Sequence, residues 1–220
     1  MSDAPDHGSR VPPAERLAEA IEAHPTPRRS VAAQALHELG QLDLAVYRAI
    51  AGTPTSTLDV PLRRLSASAN HSKLWLGAAV PLFVLGGPRG RRAAATGLAA
   101  LGINSAVVNL PMKLASRRKR PDRESAGVPD ERHVPMPTST SFPSGHSASA
   151  FAFAGAVAGS IPVLGAPLRG LATAVAYSRV HTGVHYPGDA IVGAIIGATI
   201  GEATALAVGS ALRRRPRTSP

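Results

Sequence analysis

The sequence predicts an all-α protein, a polytopic transmembrane helical bundle of about five spans preceded by amphipathic helices. Three observations predict it. Charged residues make up only 17% of the 220, below the quarter usual in soluble domains. They are clustered, so that 93–111 and 147–168 run for 19 and 22 residues without one. Gly and Ala recur along the apolar runs, as in GAIIGATIG at 193–201, where they let helix backbones approach closely. The competing reading is a soluble Ala-rich bundle, but buried soluble helices seldom run so far without a charge.

The elements follow in chain order. Residues 1–29 mix Pro, charge and small side chains, and are expected to be a disordered or weakly helical tail with a short helix at 14–23. The membrane domain is expected over 30–212, with a basic C-terminal tail at 213–220. Within 30–52, Leu36, Leu39, Leu42, Val46 and Ile50 fall roughly on one helical face. His37, Glu38, Asp43 and Arg48 make this a poor span, so an amphipathic helix on the membrane surface or on the bundle fits better. GTPTSTLD at 52–59 reads as a turn and a helix start, leading into a second amphipathic piece, LDVPLRRLSAS. The apolar segments are 74–87, which is short, then 93–111, 147–168, 170–182 with Arg179 inside it, and 190–212, interrupted only by Glu202.

Composition narrows the chemistry. Without cysteine there are no disulfides and no thiolate metal sites. No basic segment followed by an apolar one opens the chain, so a cleavable signal peptide is not expected. Net charge is +10, yet the first 73 residues hold eight acids and eight bases. The excess flanks the apolar runs, which favours anionic lipid over nucleic acid as its partner.

If the apolar segments alternate across a bilayer, one side receives Arg89, Arg91, Arg92, Arg169 and the C-terminal arginines; the other receives 112–146 and 183–189. Three unusual clusters lie on or beside the second side. In KLASRRKRP, Lys113 and Arg120 are seven residues apart; on a helix both would face one way, about 10 Å apart in rise, and suit an anion with several oxygens. Arg117, Arg118 and Lys119 read as a flank touching lipid headgroups. In Pro143-Ser144-Gly145-His146, Ser144 is a possible N-cap, and the free N–H groups of the first turn form an anion site that His146 would also reach. A cap beside an ordinary histidine explains that cluster equally well. In SRVHTGVHYPGD, the i, i+4 spacing lets Asp189 meet His185, fixing one ring nitrogen and leaving the other as a nucleophile; an ordinary His–Asp pair is the alternative.

Together the clusters read K-x6-R-P at 113–121, P-S-G-H at 143–146 and S-R-x5-H-x3-D at 178–189. That resembles the complete three-part signature of the type-2 phosphatidate phosphatase superfamily, which also holds vanadium haloperoxidases and bacterial acid phosphatases. The resemblance extends over roughly 44–212, most closely to the bacterial membrane lipid phosphatases. It implies a membrane lipid phosphatase acting on a phosphomonoester or diphosphate of a phosphatidate-like or polyprenyl lipid. His185 would form a phosphohistidine, oriented by Asp189, and His146 would protonate the leaving group. Lys113, Arg120, Arg179, Ser144 and Gly145 would bind the phosphoryl oxygens. No metal and no cofactor is implied. The alternatives are a vanadate-dependent haloperoxidase, or a non-catalytic basic membrane scaffold. His181 and His133 are expected to be non-catalytic. The positive-inside tendency favours an outward-facing site.

Overall fold

The computed structural model describes residues 30–214, so the expected tail at 1–29 and the last six residues of the expected C-terminal tail lie outside the described residues. The chain divides into two compact units, Met1–Gln41 and Leu42–Pro220. Within the first, residues 31–41 form the opening turns of a helix, α1, Val31–Gly52. Everything else described here belongs to the second.

All regular structure among the described residues is helical. After α1 come α2 (Ser56–Ser68), α3 (Lys73–Leu85) and α4 (Gly87–Val107). α4 continues through a π-turn at Val108–Met112 into a last turn, Lys113–Ala115. Pro111 sits in that π-turn, where the widened ring absorbs its missing N–H and its clash with the preceding turn. A long loop then leads to α5 (Gly145–Ala158), α6 (Gly165–His181) and α7 (Pro187–Arg214). The apolar run 147–168 is therefore not one helix. It breaks at Gly159, Ser160 and Pro162, and Pro162–Leu164 forms a short 3-10 turn. Two helices, Gly87–Ala115 and Pro187–Arg214, are each long and apolar enough to cross a bilayer.

α5 is the central element, flanked by α4, α6 and α7. Its side chains are buried almost all round, which explains why its sequence shows no polar face. Trp75 of α3 lies against Phe153 of α5 with ring centroids 5.5 Å apart, in a core that includes Leu101, Val157 and Val175. A second core joins Tyr47 and Ala51 of α1 to Val128, Val180 and Ala190. So α1 packs through Leu44, Tyr47 and Ala51, while Leu42 and Val46 of the expected apolar stripe stay exposed.

The small-residue stripe on α7 does what its spacing suggests. Gly193, Gly197 and Gly201 rest directly on the carbonyls of Ser144, Ala148 and Ala152 of α5, and a Cβ at any of them would collide with backbone. This contact fixes the height of α7, and hence of Asp189, against the start of α5. Gly197→Ala is expected to lower stability by about 1–3 kcal/mol, read as a lower Tm in detergent micelles; an unchanged Tm would mean the helices do not meet there.

The loop 116–144 is longer than most structureless connections, and buried arginine chemistry holds it down. Arg132 is fully buried. Its Nε donates to Asp59 Oδ1 at 2.8 Å. Its Nη1 and Nη2 donate to the carbonyls of Ile50, Ala51 and Thr53 and to Thr55 Oγ1. All five of its N–H donors are matched, and three of them satisfy carbonyls at the C-terminus of α1.

Candidate active site

The chain reverses between α6 and α7. The amides of Val184 and His185 both donate to the Arg179 carbonyl, at 3.1 and 3.2 Å, and Gly183 takes the left-handed φ of 71° that the reversal needs. His185 is thereby folded back over the end of α6. Pro187 opens α7, as a residue without an N–H should, and Asp189 falls in the first turn.

Asp189 is fully buried and met by donors on both oxygens. Oδ2 accepts from Tyr186 N at 2.9 Å and from Ser141 Oγ, and stands 3.5 Å from His185 Nδ1. Oδ1 accepts from Arg118 Nη1 at 2.9 Å. A carboxylate can only accept, so the partner nitrogen Nδ1 carries the ring proton and Nε2 keeps its lone pair. Burial disfavours the imidazolium and brings the His185 pKa down to about 4, against the opposing pull of the hydrogen bond to Asp189. The ring is therefore neutral at ordinary pH.

Arg120 reaches the other side of that ring. Its Nη1 is 3.3 Å from His185 Nε2 and 2.8 Å from the Val184 carbonyl. Its remaining donors go to the carbonyls of Ser139 and Thr140 and to Ser139 Oγ. Lys113 Nζ donates to the same Ser139 Oγ at 3.1 Å. The two cations thus converge, but not along a helix as their spacing suggested. The helix ends at Ala115, and Ser116 is extended with ψ 134°. Four consecutive cations repel one another within helical turns, and Pro121 disfavours helix in the residue before it.

Arg179 is 1% exposed. Its Nη1 donates to Ser66 Oγ at 2.7 Å, while its Nε is buried without a partner. Ser144 is the N-cap of α5, accepting from Ser147 N at 3.4 Å, and its own amide donates to the Asp189 carbonyl at 3.0 Å. His146, one residue into α5, has Nε2 2.8 Å from Asn70 Oδ1. It lies within electrostatic reach of Arg179, His185, Lys113 and Arg120. A cavity of about 400 Å³ opens beside it, lined in part by Lys113, Gly145 and His146. All eight residues expected at the site therefore gather at one end of the helices. Among the described residues, no three His, Asp or Glu side chains cluster to hold a metal ion.

Sequence reasoning missed the residues that hold this set in place. Arg118, read as a lipid-touching flank, instead bridges Asp189 to Asp43 and lies 4.4 Å over the Tyr186 ring. Asp43 in turn accepts from Gly188 N at 2.7 Å. Asn70, Ser66 and Ser141 are likewise unmarked by any periodicity. His181 faces away from the cluster, paired with Asp59 at 3.1 Å and with Thr55 Oγ1 at 3.0 Å. His133 is half-buried and contacts its own loop, through Asp130 and the Val128 carbonyl.

Known proteins resemble this chain in sequence and in fold. Residues 93–212 match the family model described as the PAP2 superfamily. Two curated relatives carry the name decaprenylphosphoryl-5-phosphoribose phosphatase. The one from Mycolicibacterium smegmatis is 35% identical over 68% of this chain and 78% of its own length. The one from Mycobacterium tuberculosis is 36% identical over 70% and 83%. Among solved structures, the transmembrane PAP2-type phosphatidylglycerolphosphate phosphatase of Bacillus subtilis superposes with a TM-score of 0.62 at 18% identity, covering 94% of this chain and 96% of that one. LpxE of Aquifex aeolicus gives 0.59 at 25% identity, covering 74% and 94%.

Proposed function

This chain belongs to the PAP2 superfamily and is a lipid phosphatase, and from that premise we propose that it hydrolyses the phosphomonoester of a polyprenyl-linked lipid through a phosphohistidine. The observation that carries the mechanism is the His185 ring, held by Asp189 on Nδ1 with Nε2 turned towards the cations. When substrate arrives, the Arg120 N–H turns from Nε2 to a phosphoryl oxygen, and the freed lone pair attacks phosphorus. The P–N bond forms as the P–O bond to the leaving alcohol breaks, and His146 gives that oxygen its proton. Water then attacks phosphorus, the P–N bond breaks, and His146 takes the proton of the water. Lys113, Arg120, Arg179 and the Ser144–Gly145 turn hold the charge that develops on the phosphoryl oxygens.

The substrate comes from the curated relatives: a polyprenyl phosphate bearing a phosphorylated pentose ranks first, ahead of phosphatidate and polyprenyl diphosphates. We place the five crossings at 73–85, 87–115, 145–158, 165–181 and 187–214, with α1 and α2 at the surface and 30–212 as one membrane domain. Arg89, Arg91, Arg92, Arg169, Arg213 and Arg214 then share one face, and the positive-inside tendency puts it in the cytoplasm and the site outside. Phosphate release by purified protein in mixed micelles, across a panel of these lipids, tests the reading. Release is expected first from the phosphopentose lipid, and release from none of them sinks the proposal.

A further inference from the structure

The two histidines of the site have partners of different charge. His185 Nδ1 faces the carboxylate of Asp189 at 3.5 Å. His146 Nε2 faces a neutral amide, with Asn70 Oδ1 at 2.8 Å. An amide oxygen can only accept, so in the neutral His146 ring the proton sits on Nε2 and the lone pair on Nδ1. The ring lines the cavity it shares with Lys113 and Gly145. With Nε2 taken by Asn70, Nδ1 is the nitrogen left to meet a substrate.

The difference in charge matches a difference in task. A nucleophile gains positive charge as it attacks, and a carboxylate behind it stabilises that charge. An acid has to give its proton away, and a carboxylate behind it would favour the charged form and hold the proton back. The amide orients the ring without that penalty. The charged and titratable groups facing His146 are Arg179 of α6, His185 of the turn before α7, Lys113 at the end of α4 and Arg120 of the long loop, with His71 on the cavity wall; none is a carboxylate. As an imidazolium, His146 gives its Nδ1 proton to the leaving oxygen while the P–O bond breaks, and is left neutral with its proton on Nε2. In the second step the same Nδ1 lone pair takes the proton of the attacking water. The ring need not turn over between the two steps.

The fold holds Asn70 from both sides. Before it, Ala69 is buried in the core that contains Trp75. After it, His71 and Ser72 both take left-handed φ, 54° and 58°, a conformation that costs residues other than Gly and persists where neighbours impose it. The same stretch of chain fixes a second site residue, because Ser66 of α2 accepts from Arg179 Nη1 at 2.7 Å. The end of α2 and the turn after it thus set both a phosphoryl-binding arginine and the acid.

We propose that Asn70 is a positioning residue for the reaction: it fixes the tautomer of His146, so that both proton transfers run through Nδ1. The proposal rests on the phosphohistidine reading, with His146 as the acid. Its test is the pH profile of phosphate release by the full-length protein in micelles, on whichever lipid of the panel is turned over fastest. Asn70→Ala is expected to lower kcat by about 10–10²-fold with KM within about twofold of wild type. Asn70→Asp keeps an acceptor of the same size and adds a charge. His146 has to be protonated before the first step, so activity is lost as pH rises through its pKa; a carboxylate beside it raises that pKa. The alkaline limb of kcat in Asn70→Asp is therefore expected about one pH unit or more above that of wild type, with kcat on that limb well above that of Asn70→Ala. Wild-type kcat in Asn70→Ala overturns the proposal, as does an Asn70→Asp profile whose limb does not move, since a merely structural asparagine would leave it in place. The ¹⁵N shifts of the wild-type ring add a measurement that needs no variant to fold. In the neutral form the proton is expected on Nε2, and a proton on Nδ1 overturns the proposal. Failure of the function reading looks different, because then the wild-type protein releases phosphate from no lipid in the panel and the acid role falls with it.

Discussion

Replacing His185 with alanine is expected to lower phosphate release by about 10³–10⁴-fold while leaving the Tm in micelles close to wild type. The ring is buried but makes few bonds of its own: one long contact each to Asp189 and Ser141 and one to Arg120. Removing it takes away the proposed nucleophile rather than the scaffold, because Arg118, Ser141 and Tyr186 still hold the carboxylate. His146→Ala should act differently. On the proposed mechanism it removes the proton donor of the first step and the base of the second, costing about 10²–10⁴-fold, yet the proposed nucleophile remains. Acid-labile phosphate bound to protein, captured by rapid quenching, is expected in His146→Ala and absent in His185→Ala. The protonation state can be read directly. With a pKa brought down to about 4 by burial, the ¹⁵N shifts of the His185 ring should stay those of a neutral imidazole from pH 8 down to about pH 5. Protonation near 6.5 would mean that the ring is solvated and the carboxylate pair is not buried as described.

The residues of the candidate site are marked in the sequence and their supports are not, and the reason is physical. Lys113, Arg120, Ser144, His146, Arg179, His185 and Asp189 are marked because each is a polar residue at the edge of an apolar run, where it needs an explanation. Arg118 carries no such mark. It sits among Arg117, Lys119 and Arg120, and only the fold shows that its side chain turns inward to Asp43 and Asp189. Asp43 and Asn70 lie 146 and 76 positions from the residues they serve, Asp189 and His146, and no local pattern links such distances. The glycines of α7 were readable because their contact repeats every four residues along one helix. The run 147–168 misled because hydropathy registers that 159–164 are uncharged but not that Gly159, Ser160 and Pro162 end a helix. Lys113 and Arg120 converge through Ser139, a residue of the 29-residue loop 116–144 whose path depends on Arg132 binding the end of α1. Chemistry was written locally, whereas its placement depends on long-range polar contacts.

Arg179→Lys is expected to reduce kcat by about 10²–10³-fold with a smaller change in KM, although charge is conserved. Arg179 is almost wholly buried, fixed by Nη1 on Ser66, and its Nε has no partner. A buried donor without an acceptor costs stability, and phosphoryl oxygens between His146 and His185 would satisfy it. The interaction is then strongest when those oxygens carry most charge, in the transition state, and so raises kcat more than it tightens ground-state binding. Lysine supplies a point charge on a flexible stem and cannot donate to Ser66 and to phosphate through one planar group. Vanadate, which adopts the five-coordinate geometry of phosphoryl transfer, separates this role from a structural one. Its affinity should fall in the same proportion as kcat/KM. Were kcat/KM to drop while vanadate bound as before, Arg179 would be acting on the fold of the Ser66–Thr182 region and not on the phosphoryl group. Ser66→Ala, which keeps the guanidinium but releases its anchor, should lie between the wild type and Arg179→Lys on both measures, because a charge in the right place but loosely held still stabilises the transition state, only less.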